Sequence, residues 1–190
     1  MQRGRHVVRW LSVNASRVKI STVLQALSCP LETRNAKVID VRSPSEFAQG
    51  HIPGAISLPL LDDSCRKQVG IAYKERGRSE AIQVGLSHVG PKLPKLLECM
   101  RREHASEPED GTDIFVYCSR GGMRSESMSW LLNLCGYKSR KLHNGYKSFR
   151  GHVVSSLGPD GSIDGRLGGI IPINVLAGHT GVGKTAILSH

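Results

Sequence analysis

The sequence predicts an α/β domain with a mainly parallel sheet, followed by the strand, loop and opening helix of a second, phosphate-binding unit. Three observations carry that reading. Short β-branched runs alternate with segments of helical spacing, the pattern of strands sandwiched between helices. One such run, Asp113-Ile114-Phe115-Val116-Tyr117, feeds a glycine-rich turn containing a cysteine, and loops at the carboxyl ends of parallel strands are where such sheets place their chemistry. Near the C-terminus, the apolar run Ile171 to Ala177 enters Gly178-His179-Thr180-Gly181-Val182-Gly183-Lys184-Thr185, a complete G-x-x-x-x-G-K-T phosphate loop.

In chain order, Met1 to Leu31 holds no acidic residue but carries Arg3, Arg5, Arg9, Arg17 and Lys19 among serines. That composition reads either as an organellar transit segment or as a short basic leader running into a first helix around Ser21 to Leu27. Lys37-Val38-Ile39-Asp40-Val41-Arg42 reads as a buried strand, and Ser43-Pro44-Ser45-Glu46 as the cap of a short helix through Phe47. Gly50-His51-Ile52-Pro53-Gly54-Ala55-Ile56 is a tight loop feeding a short strand, Ala55 to Leu58. His51 fits a hydrogen-bonded structural residue better than a general base, although both are open to it. Leu60 to Val69 and Ser79 to Ser87 are weakly helical, with Tyr73 to Arg78 expected as a basic bridge between them. Pro94 to His104 is a clearer helix, with Leu96, Leu97 and Met100 in one stripe. After the polar run Ala105 to Gly111 and the Asp113 strand, Met123 to Cys135 places Met128, Leu131, Leu132 and Cys135 on one helical face. Lys138 to Leu142 is a strand, Asn144-Gly145-Tyr146 a break, and a short helix follows through Phe149. A glycine-rich stretch begins at Gly151 and reaches Gly169. The expected organisation is therefore a leader over 1–30, a domain over 31–152, a linker over 153–169 and the start of a P-loop unit over 170–190, in which only six residues follow Lys184.

Composition narrows the function. The formal net charge is +10, which suits a polyanionic partner such as RNA, but the cations are spread along the chain without a dense aromatic-interleaved cluster. No apolar run approaches the length that spans a bilayer, so no membrane partner is expected. The five cysteines, Cys29, Cys65, Cys99, Cys118 and Cys135, include no pair at metal-ligand spacing. Their odd number argues against a secreted disulfide framework and for a reducing compartment, cytoplasmic or organellar, with one thiol at work. No metal site is expected.

That thiol is Cys118. In Tyr117-Cys118-Ser119-Arg120-Gly121-Gly122-Met123-Arg124-Ser125 it sits at a strand-to-helix turn, where successive N–H groups and the positive end of a helix dipole favour an anion and depress a thiol pKa. Ser119, Gly121, Gly122 and Met123 would supply the anion-binding backbone, and Arg120 and Arg124 the positive charge. The bland alternative, a small buried apolar residue, fits poorly with two glycines and two arginines in the same turn.

Asp40-Val41-Arg42, Gly50-His51-Ile52-Pro53-Gly54-Ala55 and the Cys118 turn together resemble a rhodanese domain. The resemblance is closer to the tRNA 2-selenouridine synthases, in which such a domain precedes a P-loop domain. It rests on Leu58-Pro59-Leu60-Leu61-Asp62, Val69-Gly70-Ile71-Ala72-Tyr73-Lys74, the Cys118 turn, Gly145-Tyr146-Lys147 and the Gly178 to Thr185 loop, in that order. Asn144 stands where that family usually has glycine, and Cys65 precedes Arg66 where an acidic residue is common. The resemblance implies replacement of the 2-sulfur of wobble 2-thiouridine in tRNA by selenium from selenophosphate, by way of an S-geranylated intermediate. It makes Cys118 the nucleophile, with Arg120 and Arg124 stabilising bound anion and developing charge. It implies no tightly bound cofactor. Gly178, Gly181, Gly183, Lys184 and Thr185 would hold geranyl diphosphate or a nucleotide with Mg²⁺, and an enzyme supplying selenophosphate becomes a possible partner. Since the P-loop unit is cut short, full activity is expected to need more than this chain.

Three other readings stand beside this one. The domain could be a stand-alone rhodanese-type sulfurtransferase. Cys118 and Arg124 also fit the Cys-x5-Arg loop of cysteine phosphatases, although Tyr117 replaces their preceding histidine. A non-catalytic tRNA-docking module with an incidental thiol is the third.

Overall fold

The computed structural model of the protein describes residues 17–28, 36–104 and 111–156. The expected leader up to residue 16, most of the linker and the whole phosphate loop with Gly178, Gly181, Gly183, Lys184 and Thr185 lie outside them.

Five parallel strands form the sheet: β1 Arg17–Val18, β2 Ala36–Asp40, β3 Ile56–Ser57, β4 Asp113–Tyr117 and β5 Lys138–Leu142, in the order β1-β5-β4-β2-β3. The helices are α1 Ile20–Leu27, α2 Pro44–Ala48, α3 Asp63–Val89, α4 Leu93–His104, α5 Met123–Leu134 and α6 Gly145–Ser156. Alternate residues of the central strand go to opposite faces, as a two-residue period requires. Ile114 and Val116 join a core with Met100, Met128, Leu131 and Leu132, beneath α3, α4 and α5. Phe115 and Tyr117 join the other, with Val23, Leu24, Leu27 and Phe149 of α1 and α6. Both faces being covered explains why these strands read as nearly unbroken apolar runs.

Register decides where the chemistry sits. Val38 pairs with Phe115 and Asp40 with Tyr117, so the carboxyl ends of β2 and β4 finish side by side. The Val41 N–H then donates to the Tyr117 carbonyl at 3.0 Å, which places Asp40-Val41-Arg42 against the residue that precedes Cys118.

Four expectations need correction. The segment 1–30 is not only a leader: α1 is the first helix expected around Ser21 to Leu27 and contributes Val23, Leu24 and Leu27 to the core, and β1, which was not expected, pairs with β5. Two paired residues are too short a strand to leave a periodic signal. Tyr73 to Arg78 does hold the break between two helical halves of α3, but the break is narrower than the expected bridge: the backbone is non-helical at Gly77 alone (φ 86°, ψ −174°). The Lys, Arg and Glu of this stretch are good helix formers, and only the glycine gives way. The last helix continues past Gly151 to Ser156, so the glycine-rich stretch starts later than its composition implied. The strand after the Gly50 loop is only Ile56–Ser57.

Candidate active site

Cys118 follows β4 directly and is buried at 3% exposure, at the floor of an open hollow. The hollow, about 450 Å³, is lined by Cys118, Ser119, Arg120, Gly122, Met123 and Arg124 of the turn, together with Arg66 of α3. Six of the seven residues that the sequence assigned to the turn thus line one space, while Gly121 lies against Leu142, Asn144 and Gly145. The Ser125 hydroxyl lies 3.3 Å from Sγ and 3.0 Å from the Gly122 carbonyl, and its single proton turns to the sulfur when Cys118 is a thiolate. Burial alone would push the thiol pKa up. Hydrogen bonds from the Ser125 hydroxyl and N–H and from the Arg120 N–H, with the charge of Arg124, outweigh it and hold Cys118 below the ordinary thiol value. Of these donors, the Ser125 N–H is one that the N-terminus of α5 leaves unused.

The turn is braced from behind by the start of α6. Tyr146 N–H donates to the Cys118 carbonyl at 2.8 Å and Lys147 N–H to the Ser119 carbonyl at 3.0 Å. This approach requires glycine twice. A Cβ on Gly145 (φ 55°) would run into the Cys118 carbonyl, and one on Gly121 (φ 64°) would lie 2.8 Å from the Leu142 carbonyl. Asn144 between them adopts φ 58°, a left-handed backbone that asparagine tolerates better than most residues, which accounts for its standing in for glycine.

Glu46 is the site residue that sequence reasoning assigned only to a helix cap. One of its oxygens accepts from Ser43 N–H at 3.2 Å, closing the capping box of α2. Across the site it accepts from Arg124 Nη1 at 2.7 Å and Ser119 Oγ at 2.6 Å, and pairs with Arg66 Nε at 2.9 Å. Burial raises the carboxyl pKa, but Arg124 and Ser119 overcome it and Glu46 falls to about 2. Arg124 also donates to Ser119 Oγ at 3.0 Å, so its guanidinium is oriented by Glu46 and Ser119 together. Arg120 differs: its side chain is exposed at the rim of the hollow. A capping box marks Glu46 in the sequence as a helix signal, but nothing local shows that its other lone pairs reach 73 residues away to Ser119.

The Asp40 and Arg42 pair does not face the hollow. Arg42 Nε lies 3.0 and 2.9 Å from the two Asp40 oxygens, Nη2 donates to Oδ2 at 2.6 Å and to the Gly50 carbonyl at 2.6 Å, and the guanidinium stacks 4.0 Å from the Tyr146 ring centroid. Tyr117 Oη accepts from Ile52 N–H at 3.1 Å, and burial, then the Asp40 charge, raise its pKa, so it remains a phenol. These bonds lock the Gly50 to Ile52 loop. His51 belongs to the same scaffold: it is exposed, stacks on Phe47 at 3.8 Å, and its Nδ1 is 3.0 Å from the Phe47 carbonyl. Among the described residues no group of His, Cys, Asp and Glu could hold a metal ion, and no helix is long and apolar enough to cross a membrane.

A parallel sheet that ends in a buried, activated cysteine cradled by its own backbone N–H groups is the arrangement of rhodanese domains. The sequence model of the rhodanese-like domain matches residues 23–152, and the chain belongs to that family. Within it, the chain is 37% identical over 156 residues to a tRNA 2-selenouridine synthase of Bordetella petrii and 38% identical over 156 residues to one of a Sulfurovum species. Those alignments cover 82% and 81% of this chain but 39% and 40% of the relatives, so it spans about two-fifths of their length. Among solved structures, the N-terminal domain of a Clostridium difficile protein described as ATP/GTP binding is 34% identical, with a TM-score of 0.62 over 73% of this chain and 99% of that one.

Proposed function

We propose that this chain is the chalcogen-handling domain of a tRNA-modifying transferase, with Cys118 as the nucleophile and the 2-position of a wobble 2-thiouridine as the acceptor. The observation that carries the reading is the Cys118 turn, in which a thiol of lowered pKa lies at the floor of a hollow bordered by Arg66, Arg120 and Arg124. The hollow has room for a tetrahedral anion, and thiosulfate or selenophosphate would set its oxygens against the turn and Arg120. With thiosulfate the thiolate attacks the terminal sulfur, an S–S bond forms to Cys118, and sulfite leaves with the electron pair of the bond that breaks. The names of the relatives support tRNA as the acceptor and selenium as the chalcogen; selenophosphate as donor, with its synthesising enzyme as a partner, is part of the proposal. Geranyl diphosphate or a nucleotide with Mg²⁺ belongs to the phosphate loop of Lys184 and Thr185, so completion of the tRNA reaction draws on that unit as well.

The Cys-x5-Arg reading predicts instead that the thiolate attacks phosphorus. Arg124 spends donors on Glu46 and Ser119, which favours a positioning role over a clamp on a bound phosphate. Single-turnover loading of Cys118 by thiosulfate and by selenophosphate, set beside hydrolysis of a generic aryl phosphate, separates the two. Chalcogen transfer with negligible aryl phosphatase turnover is expected; efficient phosphatase turnover without loading overturns the proposal.

A further inference from the structure

Resting on the tRNA reading above, we infer that the 66–73 face of α3 is the platform on which a single-stranded RNA loop docks, with one nucleobase stacked on Tyr73 and flanking phosphates on Arg66, Lys67 and Arg120. The Val69 to Lys74 motif has no role in the thiol chemistry, yet Val69, Gly70 and Tyr73 of it line a second hollow that adjoins the first. Arg66, Arg120 and Arg124 border both. In the second they are joined by Lys67, Gly70 and Tyr73.

Two observations point to a flat, anionic occupant. The first is charge: four cationic side chains and no carboxylate line this hollow, and the acidic residues that offset them, Glu46 on Arg66 and Arg124 and Asp63 on Arg66, do not line it. That leaves Lys67 and Arg120 exposed for phosphate oxygens. The second is shape. Tyr73 is 61% exposed, an uncommon place for an aromatic ring in a domain with so few of them, and bases stack on such rings with little regard to sequence. One turn earlier on the same helix face, Gly70 sits where a Cβ would meet nothing within 4 Å. Glycine inside a helix weakens it relative to alanine, and no packing requires it here; an absent side chain beside a stacking ring leaves the backbone open to a base or ribose. A duplex offers no free base face to Tyr73, so the site selects unpaired nucleotides, and its neighbour hollow holds Cys118 within the same docked loop.

The test uses the full chain, fluorescence anisotropy at fixed salt, and two probes: an RNA stem-loop with an unpaired uridine-containing loop, and a fully paired RNA duplex of equal length. The stem-loop is expected to bind more tightly than the duplex. Tyr73→Ala should weaken stem-loop binding about tenfold, and Tyr73→Phe should stay within about twofold of the parent. Gly70→Leu fills the hollow while replacing a poor helix former with a good one, so its melting temperature should not fall although stem-loop binding does. Lys67→Ala should reduce the salt slope of binding by about one. Unchanged binding in both Tyr73→Ala and Gly70→Leu, equal affinity for the duplex, or no binding by the parent chain overturns the platform. Thiosulfate loading of Cys118 in the parent chain needs no RNA and reports on the transfer reading separately. Loading with RNA binding that ignores Tyr73 sinks the platform alone, whereas Tyr73-dependent binding without loading sinks the transfer reading and leaves the platform standing.

Discussion

Two carboxylate and guanidinium pairs lie within reach of the same strand ends, and they are put to different uses. Asp40 and Arg42 are almost wholly buried, with side-chain exposures of 0% and 5%, and the side-chain hydrogen bonds of Arg42 end inside the fold, on Asp40 and on the Gly50 carbonyl. Glu46 is shared among Arg124, Arg66 and Ser119, and its partners stay 23% and 48% exposed. The first pair is a strut, satisfied by geometry and closed to solvent. The second sets the charge around a thiol: one carboxylate cancels one of two guanidinium charges and orients both, leaving Arg120 at the rim as an exposed cation that Glu46 does not hold. Ion pairs of identical chemistry thus act by burial in one case and by sharing in the other.

Breaking the strut should have the largest effect. Arg42→Ala leaves Asp40 charged in the core and strips the stack on Tyr146, and such a loss costs about 3–5 kcal/mol. Urea denaturation should show it; a loss below about 1 kcal/mol would make the strut reading wrong. Glu46→Gln comes next. The folded carboxyl titrates at about 2 against an ordinary 4.5. A depressed pKa means stability that is present above the unfolded value and is lost as pH falls through the folded one, here about 3 kcal/mol between roughly pH 4.5 and 2. Stability of the parent chain should fall across that window, and the variant should show a correspondingly flatter profile. Ser125→Ala should then raise the thiol midpoint by about one pH unit, the cost of removing one hydrogen bond to a charged sulfur. Thiolate absorbance near 240 nm reads it, and an unmoved midpoint would exclude Ser125 from thiolate stabilisation. Smallest of all, Asn144→Gly relieves a left-handed asparagine but loosens the unfolded chain, so stability should change by no more than about 0.5 kcal/mol.

The same contrast governs how far the sequence could be read. The strands around Asp40 and Tyr117 and the helices around Met100 and Met128 announce themselves by apolar period, because each buries a continuous face. The Cys118 turn is legible for a different reason: strand, glycines and helix are contiguous, so the chemistry is local. Glu46 is not legible as a site residue, since its capping role satisfies the local pattern and the contacts to Ser119 and Arg124 depend on β2 and β4 ending in register. α3, which breaks at Gly77, leaves only a weak helical signal in the sequence. Its buried positions, Cys65, Ala72, Ala81 and Val89, are too sparse and irregular to make a stripe. The roles of Gly121 and Gly145 likewise depend on the start of α6 closing on the turn from behind.

The central claim is that Cys118, and not another thiol, is poised for transfer. Incubation of the chain with thiosulfate at neutral pH, followed by peptide mass mapping, tests it most directly. The account predicts a sulfur adduct on the peptide containing Cys118, absent in Cys118→Ser, with none on Cys65, Cys99 or Cys135. Label on Cys99 or Cys135 with Cys118 unmodified would contradict it.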